Sequence, residues 1–181
     1  MDIFYDIIKS IHQFGLLSNN YGSLAAGILV IVFTGAILFF IKDIIKKPPT
    51  LTNVFYLSLK TEKSSYNPYI GLTSFYTLNI IDYGNNSITG YIEKTHDIEN
   101  DGKRRVYTGK NRNQGTIHGS IQRVYFGKNK LTILIEINGH LRASTIVITM
   151  PKISKKSMMG SFYTTAADSS GIAIIQDTRF I

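Results

Sequence analysis

The side chains best suited to chemistry lie in "GTIHGSIQRVYF", residues 115 to 126, and in the tyrosine-bearing runs around it. Arg123 shares strand parity with Ile117, Gly119 and Ile121. If those residues face inward, a guanidinium points into the fold, and a buried cation requires an anionic partner. Two partners are open. One is a carboxylate near the mouth of the fold. The other is a ligand phosphate, which arginine grips with paired N–H groups. Of the 11 tyrosines, Tyr76, Tyr91, Tyr107, Tyr125 and Tyr163 sit in strand-like runs. A tyrosine offers a flat face to a base and a hydroxyl to a phosphate or ribose. The same residue type also favours strands for packing alone, so both roles stay open.

Patterns for catalysis are missing. His12, His96, His118 and His140 lack metal-ligand spacing, and there is no cysteine to join them. No Gly-x-Ser-x-Gly, phosphate loop or Gly-x-Gly-x-x-Gly occurs. Glu93, Asp97, Glu99 and Asp101 gather around one turn and read as a solvated loop. The expectation is a binding protein, not an enzyme, with no metal and no cofactor. Charge gives the class of ligand. The formal net charge is +8. From Gly102 to Ile135 the chain carries Lys103, Arg104, Arg105, Lys110, Arg112, Arg123, Lys128 and Lys130 and no acid. Such a surface favours nucleotides, nucleic acid or an anionic leaflet. Lys103, Lys128 and Lys130 fall in or beside turns and read as solubilising charges.

These residues need a scaffold, and the period-2 pattern supplies one. After Pro48-Pro49 the expected strands are 53–60, 73–82, 87–96, 104–109, 116–126, 130–137, 140–149, 158–165 and 172–177. Turn residues separate most of them, and Asn138-Gly139 suits a type I′ hairpin. No segment after residue 48 keeps a helical period. The pattern predicts an all-β domain: an antiparallel up-and-down eight-stranded β-barrel of lipocalin or streptavidin type, favoured over a sandwich because the connections are short. Closure removes exposed edges, and eight strands leave room for packed side chains or one small ligand. The expected organisation is a membrane module over 1–47, a linker over 48–52 and a barrel over 53–181.

The membrane module has two parts. From Leu24 to Ile41 no residue is charged, and at about 1.5 Å per residue this stretch is roughly 27 Å long, near the hydrocarbon thickness. A transmembrane α-helix is expected over 23–42. It reads as an uncleaved anchor, because the preceding segment has Asp2 and Asp6 against a single Lys9 and no cleavage site follows. Lys42, Lys46 and Lys47 follow the span, so the barrel is expected in the cytoplasm. Residues 3–17 repeat Phe4, Ile7, Ile8, Ile11 and Phe14 at helical spacing. They form either an amphipathic interface helix or a short second membrane helix. Ser23, Gly27, Ile31 and Gly35 form one face of the span, mostly small and suited to close helix approach between copies.

This layout, with the phrases "YTLNIIDYGNNSITGYIEKT" (76–95) and "GSFYTTAADSSGIAIIQDTRF" (160–180), resembles the membrane-anchored β-barrel effectors of bacterial cyclic-oligonucleotide antiphage signalling (CBASS). That family has two membrane helices; here the first would be the charged segment from Ile3 to Leu17. The resemblance implies a barrel that binds a cyclic di- or oligonucleotide made by a nucleotidyltransferase. Binding then controls oligomerisation of the membrane helices in the bacterial inner membrane, whose disruption kills or arrests the cell. A related guard arrangement, in which the ligand keeps the effector silent, is equally compatible. DNA and RNA are not implied as partners. The residues matched to this role are Arg123 for phosphate, Tyr76, Tyr91, Tyr107 and Tyr125 for stacking or hydroxyl contacts, and Thr77 and Thr145 for polar contacts. Two other classes compete: a membrane-tethered lipid-binding barrel with an apolar cavity, and a structural envelope-assembly subunit with a filled barrel.

Overall fold

The computed structural model describes residues 2–16, 20–41, 51, 53–84, 86–109, 112–124, 127–138 and 143–180. The chain divides into two compact units, Met1–Lys47 and Pro48–Ile181. The first contains α1 (Asp2–Gly15) and α2 (Asn20–Phe39). At 14 residues α1 is about 21 Å long, short of a hydrocarbon core of roughly 30 Å. It keeps Asp6, Lys9 and Gln13 beside Ile7, Ile8 and Ile11, which gives it an amphipathic character. In α2 the stretch Tyr21–Phe39 is long and apolar enough to cross a membrane, and none of it is buried by protein. Ser23, Gly27, Ile31 and Gly35 lie four residues apart along α2, and a Cβ added at Gly27 or Gly35 would meet nothing. Lys42, Lys46, Lys47 and the Pro48-Pro49 pair lie outside the described residues.

The second unit is a closed antiparallel barrel. Its strands are β1 (Asn53–Lys63), β2 (Thr73–Gly84), β3 (Ser87–Ile98), β4 (Arg104–Val106), β5 (Gln114–Gln122), β6 (Lys130–Asn138), β7 (Ala143–Met150), β8 (Ser157–Thr164) and β9 (Ser169–Gln176). Each long strand pairs with its neighbours in sequence, and β1 closes the ring onto β9. The short β4 is a side piece on the last residues of β3, so β5 also pairs with β3 and the barrel itself has eight strands. This is the up-and-down topology that the alternating pattern predicts.

Alternation builds the core. On β6, Leu131, Ile133, Ile135 and Ile137 are buried while Lys130, Thr132, Leu134, Glu136 and Asn138 are exposed. Leu57, Leu78, Ile80, Ile117, Ile148 and Ile175 meet them from the other strands, all fully buried. Leu51, expected in the linker, is fully buried and belongs to this core. Other expectations shift as well. Asn138 pairs with Ala143, so residues 139–142, outside the described set, join β6 to β7 in place of a two-residue turn. β5 stops at Gln122, four residues short of its expected end, so Arg123 lies past the strand. β3 runs on to Ile98 and carries a bulge: Tyr76 pairs with Lys94 and Phe75 with His96, leaving Thr95 as the extra residue.

The antiparallel order sorts the connections to two ends. One end holds Leu51, where the chain enters, with the β2–β3, β5–β6 and β7–β8 turns. The opposite end holds the loop after β1, the β3–β5 connection with β4, and the β8–β9 connection. The second end carries the site.

Candidate ligand cavity

A polar cavity of about 1110 Å³ opens at this second end. That volume lies just above the usual range for small-molecule sites, about 300–1000 Å³. Leu59, Ile137, Ile146 and Phe162 form its apolar floor. Tyr66, Pro68 and Tyr69 stand at the rim, the two tyrosine rings meeting edge-to-face with centroids 5.2 Å apart. Serine hydroxyls tie the rim together. Ser64 and Ser65 both donate to the Ala167 carbonyl, at 3.1 and 2.8 Å, linking the loop after β1 to the β8–β9 connection. Ala167 and Asp168 hold left-handed backbone conformations, with φ of 53° and 43°. Such conformations cost non-glycine residues about 1–2 kcal/mol each, and the hydrogen bonds onto Ala167 offset part of that.

The wall is a compact charged cluster on β3 and the segment that follows β4. Lys94 Nζ donates to Asp97 Oδ2 at 2.8 Å, and the Tyr107 hydroxyl donates to the same oxygen at 2.6 Å. Lys94 Nζ also lies 4.9 Å from the Tyr107 ring centroid and 5.8 Å from that of Tyr76, within cation–π range. The Thr95 bulge creates this arrangement. In an unbroken strand residues three apart face opposite sides; the extra residue turns both Lys94 and Asp97 toward the interior. Thr95 Oγ1 donates to the Phe75 carbonyl at 3.0 Å, and on the outer surface His96 stacks on Phe75 at 4.3 Å. Both contacts hold the bulge in place.

Burial pushes the Tyr107 hydroxyl pKa up to about 12, assisted by its hydrogen bond to Asp97 and by that carboxylate's charge. Burial, then the same carboxylate, raises Tyr76 as well, and the Ser74 hydroxyl opposes the shift. Both remain hydroxyl donors at neutral pH. The sign of the linkage is definite. Folding favours the protonated Tyr107, so its contribution is complete below pH 10 and is lost as pH rises from about 10 through about 12. Denaturant melts across that window are expected to show wild type losing stability more steeply than Tyr107→Phe. Equal slopes would mean that Tyr107 is not held buried against Asp97 in solution.

The residues selected from sequence separate on this frame. Tyr76 and Tyr107 both line the cavity. Arg123 lies at the opposite end of the barrel, where its Nε donates to Asn86 Oδ1 at 3.1 Å beside the β2–β3 turn. The reason is the early end of β5: Arg123 continues the inward parity of Ile117 and Ile121 but no longer has a strand to hold it there. Tyr91 is 64% exposed and faces outward. Thr77 and Thr145 alternate with the inward Tyr76 and Ile146, and neither lines the cavity. Tyr163 is also exposed and donates to Asp168 Oδ1 at 2.9 Å. Tyr125 lies outside the described residues, as do Lys110 and His140.

The acidic group is a solvated loop only in part: Asp101 lies in an exposed turn, whereas Glu93 and Asp97 belong to β3. Asp97 is 6% exposed, Arg105 donates to Glu99 at 2.8 Å, and Arg112 pairs with Glu93 at 3.1 Å. Part of the basic stretch is therefore matched by these acids. The sequence reading leaves Lys94 unassigned and places Asp97 in the solvated loop. Lys94 could have been found, since it follows Ile88, Gly90 and Ile92 at inward parity; Asp97 could not, because the bulge breaks the period. Among the described residues no group of His, Asp and Glu is gathered for a metal ion.

Searches against protein-family models, curated proteins and solved structures returned no match for this chain.

Proposed function

We propose that this chain is a membrane-anchored receptor whose barrel takes up a cyclic di- or oligonucleotide at the Tyr76–Lys94–Tyr107 wall. The supporting observation is an open cavity, polar on its walls, in a barrel otherwise filled with aliphatic side chains. Lys94 Nζ carries three N–H donors; Asp97 occupies one, and the others suit a phosphate oxygen. The tyrosine rings offer faces to bases, and Ser74, Thr164 and Asn113 add polar contacts around the lining. A buried Lys–Asp pair is a poor wall for a fatty chain, which favours a polar ligand over a lipid. The cavity likewise favours a receptor over a filled structural barrel.

The antiphage role follows from the sequence resemblance. In this reading α2 anchors the chain in the bacterial inner membrane with the barrel in the cytoplasm. A nucleotidyltransferase supplies the messenger, and occupancy of the barrel governs association of α2 copies through the face bearing Ser23, Gly27 and Gly35, disrupting the membrane. Thermal unfolding of the full chain in detergent micelles, with a panel of cyclic dinucleotides, tests the binding step. A ligand at 100 times its dissociation constant is expected to stabilise the protein by about 2.7 kcal/mol. Lys94→Met should abolish that gain relative to its own ligand-free state, whereas Arg123→Ala should retain it. Absence of a shift with every member of the panel would overturn the proposal.

A further inference from the structure

The end of the barrel where the chain enters carries an unbalanced positive charge. Lys128 and Lys130 lie between β5 and β6 and at the start of β6, and Lys152, Lys155 and Lys156 lie between β7 and β8; all five are exposed. The two turns are neighbours: Leu131 stands opposite Met150, so Lys130 and Pro151 leave the β6–β7 ladder side by side. Arg123, beside Asn86, adds a further cation at this end. Two acids belong here, Asp82 on β2 and Asp177 after β9, whose N–H donates to the Lys156 carbonyl at 3.0 Å. The other acids of the barrel lie toward the cavity end. The ion pairs among the described residues, Lys94–Asp97, Arg105–Glu99 and Arg112–Glu93, are all there, and none involves these five lysines.

Charge kept for solubility alone has no reason to gather at one end and leave the acids at the other. Position supplies a reason. Leu51 brings the chain into the core at this end, and twelve residues earlier Phe39 closes the stretch long and apolar enough to span a bilayer. Twelve residues reach at most about 43 Å when fully extended. With α2 in a bilayer, the lysines are therefore tethered within reach of lipid headgroups. We propose that this end of the barrel is a docking surface for anionic phospholipids, whose headgroup phosphates the lysines bind. The inference rests on α2 spanning a membrane, as in the reading above, and not on what the cavity holds. Lysine ammonium groups are flexible point charges that demand no fixed geometry, which suits a fluid headgroup layer. Each lysine close to an anionic leaflet strengthens association by about fivefold, and the attraction fades within a Debye length, about 10 Å at 0.1 M salt. Docking by this end leaves the cavity, at the opposite end, open to a soluble ligand.

The test is hydrogen–deuterium exchange of the full chain in nanodiscs of phosphatidylcholine, with and without phosphatidylglycerol. Size-exclusion chromatography first verifies that the chain stays with the zwitterionic nanodiscs; its release would overturn the anchor and this inference together. Amides of residues 127–130 and 152–157 are expected to exchange at least about fivefold more slowly in the anionic nanodiscs, while those of the exposed turn at 100–103 stay unchanged. In 1 M salt, where the Debye length is about 3 Å, the difference should vanish. The double substitution Lys155→Gln and Lys156→Gln should remove the slowing, whereas Lys103→Gln at the cavity end should keep it. Wild-type exchange rates elsewhere in the barrel, measured in zwitterionic nanodiscs, verify that each variant is folded. Equal exchange in both lipids, slowing at both ends alike, or slowing that survives 1 M salt or the double substitution overturns the docking surface and leaves α2 as an anchor. Protection of the same amides by a single-stranded oligonucleotide, with none from phosphatidylglycerol, would assign the surface to nucleic acid and overturn the proposal equally.

Discussion

Lys94→Met should lower the stability of the barrel by about 3 kcal/mol, and adding Asp97→Leu should restore most of that loss. Losing one charge and losing both have unequal costs. The Lys94 side chain is 15% exposed and that of Asp97 8%, so neither charge is well hydrated. Together with the Tyr107 hydroxyl they satisfy each other at 2.8 and 2.6 Å. Removing the lysine leaves a buried carboxylate with only a neutral hydroxyl to stabilise it. Removing both charges leaves no uncompensated ion, and apolar replacements of similar size add contact with the cavity floor. A double-mutant cycle by urea unfolding, followed by circular dichroism because the chain has no tryptophan, measures the coupling. Additive single and double losses would show that the pair does not interact in the folded protein, and the wall of the site would need another account.

This pair also marks the boundary of what the sequence conveys. Strand positions were legible because an inward residue every second place is a strong, local signal; β6, with Leu131, Ile133, Ile135 and Ile137, is the clearest case. Closure was legible because every connection is short enough to join neighbours, which permits little but a meander. The same alternation assigns Tyr76 and Lys94 to the interior, and Tyr91, Thr77 and Thr145 to the outer face. Residue type singles out Tyr76 but not Lys94, which only its inward parity with Ile88, Gly90 and Ile92 marks. At Arg123 parity gives the face of a residue but not the point where the strand stops, which is Gln122.

Other features depend on contacts distant in sequence. The Thr95 bulge leaves no mark in the period, yet it alone brings Asp97 to the same side as Lys94. Arg105 and Arg112 find Glu99 and Glu93 only because the β3–β5 connection folds back along β3. A count of basic residues over 102–135 therefore overstates the charge free to meet a ligand. The place of the polar cavity was likewise invisible from periodicity. Both ends contain turns; among the described residues, Leu51 packs into the core at one of them and the polar lining gathers at the other.

Gly115→Val is expected to destabilise the barrel by about 3 kcal/mol, although valine is among the best strand formers. Propensity alone would predict a gain of up to about 1 kcal/mol. The local geometry reverses the sign. Gly115 is buried on β5 opposite Ile137 of β6, and a Cβ there would run into the Glu136 carbonyl oxygen, with the Glu136 carbonyl carbon and Ile137 Cα each 3.0 Å away. All three atoms are backbone, so no rotamer change can make room; the two strands would have to part, and with them the β5–β6 ladder that closes this side of the barrel. Gly90 stands in the same relation to the Asn79 carbonyl on the β2–β3 side, so two seams of the ring depend on glycine for their close approach. Tightly curved barrels need such sites because inward side chains crowd where the sheet bends most. Urea melts monitored by circular dichroism should show a lower midpoint for Gly115→Val and a smaller loss for Gly115→Ala, whose single methyl demands less displacement. A neutral or stabilising valine would mean that β5 and β6 lie farther apart than the register from Gln114–Asn138 to Gln122–Lys130 places them.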